Sequence, residues 1–420
     1  MIDSCESWPQ QRAMDSSAGR EMMRHMSVRT AAWLGAATLL LCVFATPAMA
    51  QPGDLDPSFG TGGKVTTELS RGPDTANAVV VQTNGRIVVG GWSYGNGFAL
   101  ARYLHDGSLD PSFGGDGKVT TNFPAGPAVI TDLALQPDGR IVAAGFAEGF
   151  VELARYRIDG RLDDSFGRHG MVTARYKSAQ TFVEGVALQR DGDIVVVGSG
   201  GVRYWLIARF DSGGRLDRRF GRNGWTAVNF GSGEEGARDA AITRNGRIVV
   251  AGAGDGTFAL ARLRRDGALD PQFGDNGRVV TGFRYRGAAT AVAIRADGKI
   301  LAGGYSGGRF ALTRYLPSGA LDRSFGDAGR AAGPSVTGSA YDMAVERGGG
   351  ILLAGSAYSD FTAARYRRTG ALDSAFGDMG VVHTSFPNYG SGKAIALEPD
   401  GRFVIVGDSG LRFAIARYLA

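Results

Sequence analysis

The amino-acid sequence predicts an all-β protein that forms a single seven-bladed β-propeller of four-stranded antiparallel blades. Three sequence marks carry this prediction, because each recurs seven times and in the same phase along residues 51–420. A segment of the form L-D-x-x-F-G places its phenylalanine at Phe59, Phe113, Phe166, Phe220, Phe273, Phe325 and Phe376. A small residue precedes, and an aromatic residue or leucine follows, the arginines Arg102, Arg155, Arg209, Arg262, Arg314, Arg365 and Arg417. A predicted strand ends in glycine at Gly91, Gly145, Gly198, Gly252, Gly304, Gly355 and Gly407. A period of about 53 residues in three marks indicates one closed repeat architecture.

The second repeat shows how each unit forms four short strands. Residues 130–136, 140–145 and 151–156 have the hydrophobic patterns of strands. Tight turns are predicted at Asp138-Gly139 and at Asp159-Gly160, the second of which leads into Leu162-Asp163, and these pairs are expected to supply the positive φ angles of two-residue hairpins. One such sheet cannot cover both of its faces, whereas blades stacked around an axis can. An open β-solenoid is the alternative, but it needs capping ends and neither terminus resembles a cap.

The two ends of the repeat region predict how the ring closes. The chain after residue 50 begins with the end of a unit, Asp54-Leu55-Asp56, and it finishes with residues 413–418, the strand that precedes this end in every other unit. The N-terminal segment is therefore expected to supply the last strand of the last blade. On this basis Arg417 and Asp56 are expected to pair across the closure.

The units resemble the delta-60 repeat of bacterial exported proteins and, more distantly, blades of the NHL type. The resemblance covers residues 54–420 and is carried by Leu109-Asp110-Pro111-Ser112-Phe113-Gly114 and by similar stretches at residues 98–103 and 136–141. It implies a propeller but no general activity. By analogy with NHL blades, it also implies that the strand before the Asp138-Gly139 turn is the innermost one.

The N-terminal 50 residues are expected to be an extension followed by a secretory signal peptide at residues 26–50. Arg29 provides the positive charge, residues 31–45 the apolar stretch, and Ala48-Met49-Ala50 the cleavage site. Both cysteines, Cys5 and Cys42, precede that site, so the exported protein is expected to have no thiol and no disulfide. Lipidation of Cys42 is disfavoured by Leu41, where a small residue is usual. The predicted location is periplasmic or secreted.

Composition and charge narrow the classes of partner. The 420 residues include 66 glycines and carry a formal net charge of +5, without a run of lysine and arginine. Nucleic acid is therefore not an expected partner. No later segment is long and apolar enough to span a membrane, and the protein is expected to be a monomer that binds a protein or a glycan.

Six repeats contain an arginine and an aspartate eight residues apart. The pairs are Arg102/Asp110, Arg155/Asp163, Arg209/Asp217, Arg262/Asp270, Arg314/Asp322 and Arg365/Asp373. A hairpin turn separates the partners, so a bidentate ion pair across two strands is expected. We assign these pairs a structural role, because a residue needed once for chemistry need not recur in every repeat.

A candidate ligand site lies where the innermost strands begin, at the mouth of the central channel. Aligned positions there contain Asn77, Asp132, Glu184, Arg238, Asp239, Tyr341, Asp342 and Lys393. Four carboxylates near one axis suit a hard cation such as Ca²⁺ or acid–base chemistry. The alternative is a solvated lining whose charges are balanced by Arg238 and Lys393, and no cofactor is otherwise expected.

The repeats differ most in two sets of loops at the opposite end from the tight turns, and these contain glycine, aromatic residues and arginine. The first set is residues 92–97, 199–204, 305–309 and 356–360, and the second includes residues 123–127, 284–286 and 386–389. We therefore predict a non-catalytic binding or scaffolding module that contacts a protein, glycan or cell-wall component through these loops. Two alternatives stay open: a hydrolase or lactonase-like enzyme with a cation held by Asp132, Asp239 and Asp342, and a purely structural surface protein.

Overall fold

The predicted fold is confirmed. A computed structural model describes residues 50–177, 180–201, 204–231, 236–333 and 337–420. These residues form 28 strands in seven four-stranded antiparallel sheets and contain no helix. Accordingly, the described part of the chain has no helix that could cross a bilayer. Apart from Ala50, the predicted signal peptide lies outside the described residues, as do both cysteines.

Within each blade the strands follow one another from the axis to the rim. The innermost strands are β2 Asp74–Val81, β6 Val129–Leu135, β10 Thr181–Leu188, β14 Gly236–Ile242, β18 Gly287–Ile294, β22 Gly338–Val345 and β26 Gly390–Leu397. The second strands are β3 Ile87–Ser93, β7 Ile141–Ala147, β11 Ile194–Gly200, β15 Ile248–Gly254, β19 Ile300–Ser306, β23 Ile351–Ala357 and β27 Phe403–Ser409. The third strands are β4 Gly97–Tyr103, β8 Phe150–Tyr156, β12 Trp205–Phe210, β16 Thr257–Leu263, β20 Arg309–Tyr315, β24 Asp360–Tyr366 and β28 Arg412–Tyr418. The outer strands are β5 Lys118–Thr121, β9 Met171–Ala174, β13 Trp225–Val228, β17 Arg278–Thr281, β21 Arg330–Ala332, β25 Val381–Thr384 and β1 Lys64–Thr67.

The N-terminal strand completes the seventh blade, as the ends of the repeat region predict. This blade has the order β1-β28-β27-β26, and β1 pairs with β28 in a register from Lys64↔Ala416 to Thr67↔Phe413. We number the blades one to seven from β2–β5 onward, so that blade seven contains both ends of the propeller.

Two local predictions need correction. The second tight turn leads into Leu162, which forms only an isolated bridge with Tyr156, and the fourth strand of that blade begins later, at Met171. The turn at Asp138-Gly139 is not a two-residue hairpin with two positive φ angles. Only Gly139 has a positive φ, of 85°, while an oxygen of Asp138 accepts the amide hydrogen of Arg140, an arrangement that suits a longer loop built on a type I turn.

The hydrophobic core is divided among the blade interfaces. Seven clusters of buried residues each combine side chains of two adjacent blades, including the pair formed by blades seven and one. Strand β4 is buried along its whole length, and the other third strands are buried along most of theirs, because each blade packs between two neighbouring blades. The core therefore fixes the angle between blades and leaves the axis open.

The recurrent glycine does not end its strand, as the sequence predicted, but lies two residues before the end of each second strand. Its recurrence has a steric origin. Each innermost strand contains a bulge, which in blade two lies between Ile130 and Asp132. Opposite this bulge, a Cβ atom on Gly145 would lie 1.8 Å from the carbonyl oxygen of Val129. The corresponding glycines of the other six blades meet a main-chain oxygen at 1.8 to 2.0 Å in the same way. Glycine is thus required for the bulge, and the bulge turns one extra residue of each innermost strand toward the channel.

Candidate functional site

The antiparallel blades divide the propeller into two different faces. One face carries the tight turns that follow the innermost strands, such as Asp138-Gly139, and we call it the turn face. The opposite face carries the loops between second and third strands and the loops that lead from one blade into the next. We call this the variable-loop face, because its loops differ from blade to blade in sequence and in length.

The predicted arginine–aspartate pairs form a ring on the turn face. In all seven blades the arginine Nε lies 2.8 to 3.1 Å from the aspartate Oδ2, and the seventh of these pairs is Arg417 with Asp56, across the ring closure. The expected bidentate geometry is not formed, because the aspartate Oδ1 accepts the backbone amide hydrogen two residues further on. Each guanidinium also lies over the phenylalanine of the L-D-x-x-F-G segment, 4.5 to 5.3 Å from the ring centroid.

Among the described residues, this ring links six of the seven blades to the next blade. Arginine Nη1 donates to a main-chain carbonyl of the following blade from Arg102, Arg155, Arg209, Arg262, Arg314 and Arg417. Burial disfavours the charged aspartates, but hydrogen bonds from neighbouring residues and the arginine charges outweigh it and lower the pKa of all seven carboxyls. An arrangement that recurs in every blade and joins neighbours suits a structural role.

The candidate residues at the channel mouth come together on the variable-loop face. All eight line a funnel of about 550 Å³ around the axis: Asn77, Asp132, Glu184, Arg238, Asp239, Tyr341, Asp342 and Lys393. The bulges account for this convergence, because the extra residue of each innermost strand lies at the funnel wall.

The aspartates of the funnel link blades in pairs. Asp132 of blade two accepts the amide hydrogen of Leu133 on one oxygen and that of Val186, in blade three, on the other, both at 2.7 Å. Asp239 of blade four and Asp342 of blade six repeat this arrangement toward Val292 and Ile395. At the aligned position the remaining blades carry a small residue instead, Ala78, Gly185, Ala291 or Ala394.

Other polar side chains complete a ring of contacts between blades. Asn77 Nδ2 donates to Ile130 O at 2.8 Å, and Thr290 Oγ1 donates to Ala340 O at 3.1 Å. Glu184 forms an ion pair of 2.6 Å with Arg238 of the next blade. Lys393 Nζ closes the ring with a hydrogen bond of 3.3 Å to Asn77 Oδ1. The sequence predicted that Arg238 and Lys393 balance the carboxylates of the funnel. Arg238 pairs with Glu184, but Lys393 pairs at 2.8 Å with Asp408, a residue that the sequence did not single out.

Burial within the funnel keeps its carboxylic acids protonated to a higher pH than usual. It raises the pKa of Asp239 to about 7 and that of Asp342 to about 6, and it also raises the pKa of Asp132 well above the ordinary range. Repulsion from neighbouring carboxylates adds to burial at Asp132 and Asp239, whereas the backbone amides oppose it. Burial also raises the pKa of Glu184, against the charge of Arg238.

The geometry gives no support to a cation in the funnel. Among the described residues, no three histidine, cysteine, aspartate or glutamate side chains are grouped so that they could hold a metal ion. Both oxygens of Asp132, of Asp239 and of Asp342 already accept backbone amide hydrogens. The Ca²⁺ hypothesis, and with it the enzymatic alternative, stays a prediction that a binding experiment has to test.

A second depression on the variable-loop face, between blades six and seven, was not singled out from the sequence, although two of its loops were. It has a volume of about 420 Å³, is lined by Tyr341, Tyr358 and Tyr389, and adjoins the funnel through Tyr341 and Ser391. We call it the tyrosine groove. The signal was the pair of tyrosines in loops 356–360 and 386–389, but only the fold shows that these loops are neighbours.

Comparison with known families finds a match to part of the repeat region. Five segments match a family model described as a domain of unknown function (DUF5122) β-propeller: residues 82–113, 136–166, 189–220, 243–273 and 295–325. Each matched segment runs from the first tight turn of a blade to its L-D-x-x-F-G phenylalanine. The chain is a repeat-type β-propeller. None of the curated proteins matches the chain in sequence.

Solved structures show the same fold at low sequence identity. A streptogramin B lyase superposes with a TM-score of 0.56 at 9% identity over 85% of this chain and 97% of its own. A virginiamycin B lyase from Staphylococcus aureus gives 0.53 at 9% identity, over 85% and 98%. The WD40 propeller domain of Doa1 gives 0.54 at 13% identity, over 84% and 95%. At these identities the likeness concerns the fold of the propeller and not its activity.

Proposed function

We propose that this protein is an exported, non-catalytic binding module that contacts a protein or glycan partner through its variable-loop face. The distribution of its 13 tyrosines carries this proposal. The buried ones occupy the repeat position after the arginine: Tyr103, Tyr156, Tyr315, Tyr366 and Tyr418. All the others are at least partly exposed and lie on the variable-loop face: Tyr94, Tyr176, Tyr204, Tyr285, Tyr305, Tyr341, Tyr358 and Tyr389.

Such a distribution favours recognition. Tyrosine offers a large amphipathic surface at a small cost in conformational entropy, and it is enriched at binding sites. If the loops were selected only for solubility, polar residues would be expected in place of tyrosine. Exposed tyrosines would then also be expected on both faces and not on the variable-loop face alone. The turn face instead carries the repeated ion pairs, which supports a division between a face that holds the fold together and a face that binds.

The remaining parts of the proposal rest on the sequence. Export is inferred from the signal-peptide pattern of residues 26–50. We also infer that the repeat is of the delta-60 type, from stretches such as residues 109–114, although the family match does not use that name.

Substitutions confined to one face test this proposal. Retention of the protein on an immobilised cell-envelope extract is measured for the double variant Tyr94→Ala/Tyr285→Ala and for Ile158→Ser/Leu316→Ser, which removes two exposed apolar side chains from the turn face. We expect the first variant to lose retention and the second to keep it. Equal retention of both variants, or a greater loss with the second, would contradict a binding role of the variable-loop face.

A further inference from the structure

We infer that the tyrosine groove binds a neutral saccharide, a conclusion that rests on the proposed function and names the ligand class for one part of that face. The first observation is the exposure of its three rings. Tyr341, Tyr358 and Tyr389 are 43%, 68% and 80% exposed, although they surround a concave surface. Three aromatic side chains around one depression form an exposed apolar patch of the kind that marks a ligand site.

The second observation is the backbone conformation that presents two of these rings. Tyr358 and Ser359 have φ angles of 53° and 63°, and Tyr389 has 57°, all in the left-handed region that disfavours bulky side chains. The corresponding loop of blade five uses Gly307-Gly308, which adopts the same conformation without strain. Residues retained against their backbone preference suggest a role other than folding.

Hydrogen bonds hold this strained backbone in place. Gly390 N donates to Ser359 O at 2.7 Å, which ties the turn of blade six to the start of β26. Gly410 N donates to Asn388 O at 2.9 Å, and the Oγ atoms of Ser356 and Ser391 lie 3.0 Å apart across the floor of the groove. The backbone that presents the tyrosine rings is therefore held in place before a ligand binds, which lowers the entropic cost of binding.

The third observation is the charge of the groove. Asp408, its one acidic residue, is paired with Lys393 at 2.8 Å, so the lining is electrically balanced. Hydroxyl and amide groups of Ser339, Ser356 and Asn388 supply donors and acceptors between the rings. A ligand that matches this surface is uncharged, presents apolar C–H faces to tyrosine and carries hydroxyl groups at its edges. A sugar ring combines these properties, whereas an anionic polymer would lack an unpaired cationic partner.

Calorimetric titration of the full protein with cellohexaose, mannohexaose and chitohexaose tests the inference. We expect one of these probes to bind with a stoichiometry of one. Tyr358→Gly and Tyr389→Gly are each expected to weaken that binding at least about tenfold, as for the loss of a central aromatic anchor. Because glycine relieves the positive φ angles, the same variants are expected to keep or raise the Tm. Ile158→Ser and Leu316→Ser, which change exposed side chains of the turn face, serve as controls and are expected to stay within about twofold of the parent.

The outcomes separate this inference from the function on which it rests. Absence of binding to all three probes overturns the saccharide assignment, as does binding that both glycine variants leave unchanged. If retention on the envelope extract still depends on Tyr94 and Tyr285 in that case, the binding role of the face stands without the saccharide. If that dependence is absent too, both proposals fail together.

Discussion

Removal of Asp56 tests the ring closure, because this carboxylate joins the first described turn of the chain to its last strand. Its Oδ2 lies 3.0 Å from Nε of Arg417, which is completely buried, and accepts a hydrogen bond of 2.8 Å from Arg402. Its Oδ1 accepts from the amide and the hydroxyl of Ser58. Asp56→Ala therefore leaves a buried guanidinium without its main counter-charge.

The expected cost follows from that burial. Removing one partner of a buried ion pair typically costs about 3 to 5 kcal/mol, since the other charge stays desolvated. Glu398 lies 3.8 Å from Arg417 and compensates part of the loss, so we expect about 3 kcal/mol for Asp56→Ala. The measurement is the free energy of unfolding from urea titrations followed by near-ultraviolet circular dichroism.

Blade one offers a matched control. Asp110 pairs with buried Arg102 at 2.8 Å and accepts from Ser112 through the same set of atoms, but it lies within a continuous stretch of chain. The position that corresponds to Glu398 is the neutral Gln82, so Asp110→Ala is expected to cost slightly more, about 4 kcal/mol. If Asp110→Ala shows its full cost and Asp56→Ala costs less than about 1 kcal/mol, the reasoning is refuted, because the closure would not depend on this pair.

Three further predictions concern the channel and the blade interfaces. Asp239→Asn is expected to flatten the fall in Tm between about pH 4 and pH 7, because the raised pKa lets the folded state keep a proton that the unfolded state releases above about pH 4. An unchanged slope of Tm against pH would contradict this. Gly145→Ala is expected to cost about 3 kcal/mol or more in a urea titration, since its Cβ would overlap Val129 O, and a loss below about 1 kcal/mol would show that the bulge can move. Tyr156→Phe is expected to lower the free energy of unfolding by about 1 kcal/mol, because it removes a buried hydrogen bond. Tyr366→Phe is expected to be neutral or stabilising, because the hydroxyl of Tyr366 is buried without a partner among the described residues. Equal losses of stability in the two variants would argue against this contrast.

Much of the fold was predictable, because the repeat encodes contacts that every blade makes. Arg102, Asp110 and Phe113 mark one unit of the ring on the turn face, and their recurrence in sequence reproduces their recurrence in space. The position of the fourth strand was not predictable from the second blade, since the short segment at Met171 has no stronger pattern than Leu162. Only pairing with β8 distinguishes them.

The location of the candidate site was predictable from the sequence, but its hydrogen bonds and ion pairs were not. Aligning the starts of the innermost strands identified every charged residue of the funnel. Residues at the same position of successive repeats lie at the same height around the axis of a propeller, so an aligned column of the sequence corresponds to a ring in the structure. It could not show that Asp132 accepts the amide of Val186, since backbone amides are the same at every position of a sequence. The pairing of Lys393 with Asp408 was not predictable either, because it depends on how β26 and β27 place these two side chains in the fold.

The alternation of aspartate and small residues around the funnel has a consequence for how such a ring can be assembled. Blades two and three, four and five, and six and seven form aspartate-linked pairs, so blade one is left over. An odd ring cannot alternate without one mismatch, and here Ala394 of blade seven and Ala78 of blade one meet at the interface between these two blades. The mismatch in the alternation thus borders blade seven, the blade in which β1 pairs with β28 to close the ring. The elementary building unit at the axis is a pair of blades, and a ring from which blade one is removed would alternate perfectly.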